Sequence, residues 1–177
     1  MSQNTPEIDV VLNEDELMAL VDKLAEALAP RLHGDWTAIN ILIGATPFTS
    51  DLMKALARRN IHPVLDALWL ESYRDARESS GRVNVRADIT RPVTGRGVLL
   101  IDDVFDTGRT LAFARQHLMT KGAREVITVA LARKPSAPAG PENVDYYAFE
   151  APERFLVGYG MDDKGLYRGL PFVGALD

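Results

Sequence analysis

Three carboxylates follow an apolar run in the segment VLLIDDVFDTGRTL, residues 98–111. The run is typical of a buried strand, and Asp102, Asp103 and Asp106 come at its end or just after it. In open α/β sheets, ligands bind beyond the carboxyl ends of the strands. Burial of two adjacent carboxylates without partners would be strongly destabilising. We therefore expect these side chains to face a solvent-filled cleft and to bind hydroxyl groups or cations.

The next residues, DTGRT at 106–110, combine hydroxyl side chains with the start of a predicted helix. Free main-chain N–H groups at a helix start, together with the hydroxyls of Thr107 and Thr110, would form an anion cradle. A cleft with carboxylates on one side and a phosphate cradle on the other suits a sugar phosphate. A Walker loop is excluded because the sequence contains no Gly-Lys-Ser/Thr. The structural alternative is a simple strand-to-helix turn with Asp106 as the N-cap.

Apolar periodicity on both sides of this segment predicts alternating strands and helices. Strand, helix and strand in that order imply βαβ units, and hence a doubly wound α/β domain with a small appended element. Asn13 followed by Glu16 is typical of a capping box at the first helix. The predicted strands cover residues 36–44, 62–73, 83–89, 97–104 and 124–135, with short strands within 145–160, and the predicted helices cover 13–32, 48–60 and 108–122.

Composition narrows the class of protein further. The chain has 177 residues, a net charge of −5 and an isoelectric point near 5.2, which oppose a nucleic-acid partner. It contains no cysteine, which excludes disulfides and thiolate metal sites and suits a reducing cytosol. Its three histidines, His33, His62 and His117, lack metal-ligand spacing. The N-terminus does not resemble a signal peptide and no apolar run approaches a membrane span, so we expect a cytoplasmic protein with no membrane partner.

Four segments carry a resemblance to a known family. VLLIDDVFDTGRT resembles the phosphoribosyl pyrophosphate binding motif of type I phosphoribosyltransferases. SYRDARESSGRVNV (72–85), ARKPS (132–136) and ERFLVGYGMDDKGLYRGLPFVG (153–174) are similar to the flexible loop, the base-recognising lysine segment and the C-terminal hood of the hypoxanthine phosphoribosyltransferases. The resemblance spans residues 8–175. It implies one domain, 1–177, with the type I phosphoribosyltransferase fold: a central mostly parallel sheet flanked by helices, and a small hood formed largely by 145–177 with the N-terminal segment.

The resemblance also implies roles for the residues of the first motif. Asp102 and Asp103 match the pair that binds the ribose hydroxyls, directly or through Mg²⁺. Asp106 matches the proposed general base, placed against N7 of the purine. The residues that match the 5′-phosphate cradle are Thr107, Gly108, Arg109 and Thr110.

Further matches concern the base and the leaving group. Lys134 matches the lysine that donates to O6 of the base, which favours 6-oxopurines over adenine. Phe155 matches the aromatic side chain that stacks on the purine, and Leu156 the residue whose main chain meets the purine edge. Asp162 matches a carboxylate that binds a second Mg²⁺ on pyrophosphate, and Arg168 a pyrophosphate contact.

Two regions complete the predicted site. Ser72 and Tyr73 lie at the edge of loop 74–82, which is expected to close as a lid. The pyrophosphate loop is expected at Ile43 and Gly44, bound largely through main-chain amides. Here the chain departs from the family, which commonly carries a basic residue at the position of Ile43. Asp163 is a second departure, since the family usually has an aromatic residue there.

The function implied is Mg²⁺-dependent purine salvage. Hypoxanthine, and guanine with it, would react with phosphoribosyl pyrophosphate to give the nucleoside monophosphate (IMP or GMP) and pyrophosphate, in a homodimer or homotetramer. A regulatory nucleotide-binding protein of the same fold is the alternative from a different class, which the acidic isoelectric point and Asp106 oppose. An enzyme that prefers xanthine or guanine is a third reading, and the long hood after residue 153 favours the hypoxanthine branch.

Overall fold

The structure is a computed structural model, and it describes residues 7–72, 83–140 and 143–176. None of the described helices is long and apolar enough to cross a membrane. The strands are β1 (Asp9–Leu12), β2 (Trp36–Leu42), β3 (Val64–Ser72), β4 (Val83–Ala87), β5 (Gly97–Phe105), β6 (Glu125–Arg133), β7 (Tyr146–Glu150), β8 (Phe155–Val157) and β9 (Val173–Leu176), and the α-helices are α1 (Glu14–Leu28), α2 (Thr46–Ala57) and α3 (Arg109–Thr120).

Six strands form the central sheet, in the spatial order β4-β3-β2-β5-β6-β7. All neighbours pair in parallel except β4, which runs antiparallel to β3 at one edge. The predicted mostly parallel α/β sheet is confirmed. Since β2 and β5 are neighbours, with Asn40 opposite Ile101, the loop after β2 and the carboxylates at the end of β5 lie at the same edge of the sheet.

The core occupies both faces of this sheet. On one face α1 and α2 pack against β5 through Leu99 and Ile101, and on the other face α3 packs against Val98 and Leu100. Side chains of a strand alternate between the faces, so a strand covered on both sides reads as a continuous apolar run. That is the physical reason why the run before Asp102 was recognisable in the sequence.

The first helix illustrates how local signals set an element boundary. The Asn13 side chain accepts from the Glu16 amide at 3.0 Å, and the Glu16 carboxylate accepts from the Asn13 amide at 3.0 Å, so the predicted capping box is confirmed. The helix was predicted to run to residue 32, which is wrong. It ends at Leu28 and continues as a 3-10 turn over Ala29–Arg31, because Pro30 has no amide hydrogen to donate to the preceding turn.

A second, smaller sheet has the order β1-β9-β8, with all neighbours antiparallel. We define the hood as these three strands and the connection at 158–172. The sequence predicted a hood formed largely by 145–177, and the first residues of that segment lie elsewhere in the structure. Tyr146–Glu150 pairs in parallel with β6 and joins the central sheet, because Tyr146, Ala148 and Phe149 pack against the core beside α1.

The predicted lid falls mostly outside the described residues. Tyr73 and the loop 74–82 are not described. The main chain of Ser72 ends β3 and pairs with Val83, the first residue of β4.

Candidate active site

A cleft of about 1020 Å³ opens at the carboxyl ends of β2 and β5, beneath the hood. It brings together most of the predicted site residues. The predicted residues that line it are Gly44, Asp102, Asp103, Asp106, Thr107, Gly108, Arg109, Thr110, Lys134, Phe155, Leu156, Asp162 and Arg168. Ile43 is not among the lining residues, and its side chain is 50% exposed.

The two adjacent carboxylates lie at the back of this cleft. Asp102 is buried, and its Oδ1 accepts from the Asp103 amide at 3.0 Å, while Asp103 Oδ1 accepts from the Val104 amide at 2.8 Å. Burial raises the pKa of the Asp102 carboxyl, and repulsion from Asp103 raises it further. Burial also raises the pKa of Asp103, against the opposing effects of its hydrogen bonds and of the positive charge of Arg168. A bound cation or a set of hydroxyl donors would relieve this unfavourable charge.

The raised pKa of Asp102 predicts a pH-dependent gain in stability for Asp102→Asn in buffer with a metal chelator. A carboxyl whose pKa is higher in the folded than in the unfolded chain makes ionisation favour unfolding. The cost is absent below the ordinary pKa of 3.8, grows as the pH rises toward the higher folded-state pKa, and is constant above it. Thermal unfolding should therefore give equal Tm values for variant and wild type near pH 3.5, and a higher Tm for the variant at about pH 7.5.

Asp66→Asn provides a control of opposite sign. Burial acts to raise the pKa of Asp66, but hydrogen bonds from the amides of Ala67, Arg91 and Thr90 outweigh it and lower the pKa. Its ionisation therefore stabilises the fold at neutral pH, and Asp66→Asn should lower the Tm at about pH 7.5. A lower Tm for Asp102→Asn at that pH would contradict the burial argument.

The DTGRT segment connects β5 to α3. Gly108 is the N-cap of α3 with φ of +74°, a left-handed conformation that favours glycine, and a Cβ there would lie 3.1 Å from the Phe105 ring. The alternative in which Asp106 caps this helix is therefore wrong. Asp106 is exposed to the cleft, and its carboxylate accepts no hydrogen bond from the described residues. The free amides at the start of α3 border the same cleft, as an anion cradle requires.

Lys134 is fixed by hydrogen bonds at the wall of the cleft that follows β6. Its amide donates to Phe105 O at 2.9 Å, and its ammonium donates to Pro152 O at 2.9 Å and to Arg154 O. An ammonium group has three donors, so one is left for a ligand. Next to it Phe155 presents a ring that is 49% exposed, and Leu156 is buried behind it. This wall offers a flat apolar surface with one fixed hydrogen-bond donor.

The loop after β2 approaches the carboxylates very closely. The Leu42–Ile43 peptide is cis. A Cβ added to Gly44 would lie 1.8 Å from Asp103 Oδ2, so only glycine fits against this carboxylate. Above the loop, Arg168 Nη2 lies 2.6 Å from Asp162 Oδ1, and Asp162 Oδ2 accepts from the Gly165 amide at 2.6 Å. One positive charge and a strand-end loop thus face each other across this end of the cleft.

The donor set suits a magnesium ion that is shared with a substrate. Within 7–72, 83–140 and 143–176, no group of three or more His, Asp or Glu side chains is arranged to hold a metal by itself. Mg²⁺ is typically bound through one or two carboxylates and completed by substrate phosphates and water. Asp102 with Asp103, and Asp162 separately, fit that pattern.

Some lining residues were not predicted from the sequence. Glu153, Arg154 and Lys164 also border the cleft. Their neighbours Phe155 and Asp162 were identified, and adjacency on the same short hood segments was the only signal available for them. Gly160 does not line the cleft but lies against Gly44, where an added Cβ would be 1.9 Å from Gly44 O. The sequence did not predict this contact, because it depends on the fold.

Comparison with known proteins finds relatives from one family. The family model described as a phosphoribosyl transferase domain matches residues 13–164. A hypoxanthine-guanine phosphoribosyltransferase of Streptococcus pneumoniae is 34% identical over 168 residues, which is 94% of this chain and 92% of that protein. A bifunctional protein TilS/HprT of Listeria innocua is 36% identical over 94% of this chain, but the chain spans only 26% of its length.

Solved structures give the same result. A hypoxanthine phosphoribosyltransferase of Staphylococcus aureus superposes with a TM-score of 0.88 at 29% identity, covering 100% of this chain and 96% of that one. A hypoxanthine-guanine phosphoribosyltransferase of Bacillus anthracis also has a TM-score of 0.88 at 29% identity, covering 97% of this chain and 100% of that one. The likeness therefore extends over both sheets.

Proposed function

Because the chain belongs to the family of hypoxanthine-guanine phosphoribosyltransferases, we propose that it transfers a 5-phosphoribosyl group from phosphoribosyl pyrophosphate to hypoxanthine or guanine. The products are the nucleoside monophosphate and pyrophosphate, and the reaction requires Mg²⁺. The observation that carries this proposal is the single cleft that combines a buried carboxylate pair, the DTGRT cradle and the fixed ammonium of Lys134.

The sugar phosphate occupies the end of the cleft formed by β5 and α3. Asp102 and Asp103 bind the ribose hydroxyls, and their raised pKa values support this, since bound donors or a cation would offset the cost of two buried charges. The 5′-phosphate lies on the amides at the start of α3. The residues that form this cradle are Thr107, Gly108, Arg109 and Thr110. Asp102, Asp103 and Asp162 would hold Mg²⁺, which would supply a template and a Lewis acid for the pyrophosphate group.

Transfer proceeds by departure of pyrophosphate from C1 of the ribose through an oxocarbenium-like state, followed by attack of a purine ring nitrogen from the other face. Asp106 accepts the proton from N7 of the purine. Its carboxylate is exposed to the cleft and accepts no hydrogen bond from the described residues, so a bound purine can reach it. The lid assigned to Ser72, Tyr73 and loop 74–82 would exclude water from the reactive C1 and stays a prediction.

The base lies between Phe155 and Lys134. The exposed Phe155 ring stacks on the purine, and the main chain of Leu156 meets the purine edge. Lys134 donates its remaining hydrogen to O6, a carbonyl acceptor in hypoxanthine and guanine. Adenine presents an amino group at that position, so a donor would meet a donor.

This arrangement predicts base selectivity. In an assay of nucleotide formation with phosphoribosyl pyrophosphate, Mg²⁺ and each of hypoxanthine, guanine, xanthine and adenine, kcat/KM for hypoxanthine should exceed that for adenine by ~10-fold or more. One buried polar contact left unsatisfied supplies a factor of this size. Comparable rates with adenine would contradict the role of Lys134, and no nucleotide from any base would overturn the proposed function.

Ile43 stands where the family resemblance predicts a basic side chain, and we expect this difference to change the affinity for pyrophosphate and not to abolish activity. The Ile43 side chain is half exposed and does not line the cleft, so a charge there would be solvated and worth ~1 kcal/mol or less. The main chain of Ile43 and Gly44, and the side chain of Arg168, remain to bind pyrophosphate. The regulatory alternative is not favoured, since the relatives that match are enzymes by name. Cytoplasmic location and assembly as a homodimer or homotetramer stay predictions.

A further inference from the structure

A buried hydrogen bond links the hood to helix α2, which packs beside the central sheet. The Tyr159 side chain is 5% exposed, and its hydroxyl donates to Asp51 Oδ2 on α2 at 2.7 Å. Burial raises the pKa of Tyr159, and the Asp51 carboxylate raises it further, so the phenol stays protonated as a donor. The two residues are 108 positions apart in the chain, so the bond fixes one part of the fold relative to another.

The residue after Tyr159 touches the proposed pyrophosphate loop. Gly160 has φ of +100°, and a Cβ there would lie 1.9 Å from Gly44 O and 2.8 Å from Pro47 Cδ. The hood main chain therefore rests directly on the loop that follows β2. Any shift of residues 159 and 160 has to be transmitted to Gly44, because protein interiors are close-packed.

The same residue also holds the proposed pyrophosphate ligands. Gly160 O accepts from Arg168 Nη1 at 2.6 Å, and its amide donates to Arg168 O at 2.9 Å. Arg168 in turn pairs with Asp162. Gly160 is thus the common support of the loop at Gly44 on one side and of the Arg168 guanidinium on the other.

We propose that Tyr159 and Asp51 form a positioning pair, which holds Gly160 so that Gly44 and Arg168 face each other at the separation that pyrophosphate requires. Neither residue lines the cleft, so we expect the pair to act through Gly160 and not by contact with a substrate. The inference rests on the proposed function, because it assigns a role toward the leaving group of that reaction. It predicts an effect on the phosphoribosyl pyrophosphate side of the site, with the purine side left intact.

The test is Tyr159→Phe, which removes the hydroxyl and keeps the ring. KM for phosphoribosyl pyrophosphate should rise ~10-fold, while KM for hypoxanthine stays within ~2-fold. Asp51→Ala should reproduce this result. Asp51→Asn should keep KM for phosphoribosyl pyrophosphate close to the wild-type value, because the amide oxygen still accepts from the phenol. The double variant Tyr159→Phe/Asp51→Ala should be no worse than either single variant, because both remove the same bond.

Thr128→Val is the control for a lost buried hydrogen bond elsewhere in the fold. Thr128 is buried, its Oγ1 donates to Asp145 Oδ2 at 2.8 Å, and neither residue lines the cleft. This variant should lose thermal stability and keep both KM values. If Tyr159→Phe changes neither KM, or changes both equally, the pair is merely structural and the proposal is overturned. Additive effects in the double variant would overturn it as well.

Binding of pyrophosphate with Mg²⁺, measured by calorimetry, separates this inference from the proposed function. A wild type that binds pyrophosphate but forms no nucleotide refutes the enzyme assignment alone. In that case the positioning role is supported if Tyr159→Phe weakens pyrophosphate binding ~10-fold, and it is overturned if binding is unchanged. A wild type that does not bind pyrophosphate refutes both.

Discussion

Asp106→Asn should lower kcat for nucleotide formation by ~100-fold or more. Asparagine keeps the size of the side chain and removes its ability to accept a proton. KM for phosphoribosyl pyrophosphate should stay within ~3-fold, because the carboxylate pair and the phosphate cradle are untouched. Steady-state kinetics with hypoxanthine at saturating Mg²⁺ measure both constants. Asp106 is exposed on the connection to α3, so its replacement should not unfold the protein. A lower rate would therefore reflect the lost carboxylate.

Asp163→Asn is the control for this experiment. Asp163 is a partly exposed carboxylate that lines the same cleft and has no assigned role. Its replacement should leave kcat within ~3-fold of the wild type. If Asp106→Asn also retains kcat within a few-fold, another group accepts the proton, and the assignment of Asp106 as general base is wrong.

Gly44→Ala should lower kcat/KM for phosphoribosyl pyrophosphate by ~100-fold. The new Cβ would lie 1.8 Å from Asp103 Oδ2, so either the carboxylate or the loop has to move. Rotation of the Asp103 carboxylate is the cheaper response, since it is the end of a side chain. The fold should therefore survive, while the group proposed to bind the ribose leaves its position.

Gly169→Ala provides the comparison, because a Cβ at that hood position meets no atom within 4 Å. It should retain full kcat/KM and a wild-type Tm. Thermal unfolding of both variants separates a local displacement from a loss of folding. A Gly44→Ala enzyme with wild-type kcat/KM would show that the close approach of this loop to Asp103 has no role in binding the sugar phosphate.

The fold was predictable where local patterns reflect burial. The strands β2, β5 and β6 are covered on both faces and appear as apolar runs in the sequence. The start of α1 is marked by its capping box. The hood was not predictable in detail. β1 and β9 have four residues each, too short for a period, and they pair through contacts such as Asp9 with Ala175. A pairing across nearly the whole chain leaves no local signal.

The site residues also divide into those that local sequence patterns identify and those that they do not. Asp102, Asp103 and the DTGRT segment were identified because carboxylates interrupt an apolar run and the cradle is contiguous in sequence. The hood contributions depended on family resemblance, since a charge such as Asp162 looks like any solvated residue. The fit of Gly160 against Gly44 could not be inferred at all. It depends on the packing of two loops that are far apart in the chain.

The hydrogen bonds that hold the Lys134 ammonium also affect how the base preference of such an enzyme could change during evolution. Two carbonyl oxygens, of Pro152 and Arg154, surround the ammonium. They pair only with a hydrogen-bond donor, so a glutamate at 134, which could accept from the amino group of adenine, would place its own oxygens against them. Replacement of Lys134 by glutamate would therefore abolish the proposed preference for a 6-oxo group without creating one for a 6-amino group. By that route, a descendant that uses 6-aminopurines would need changes at residues 152–154 as well, so the carbonyl groups of a neighbouring segment help to conserve the proposed preference.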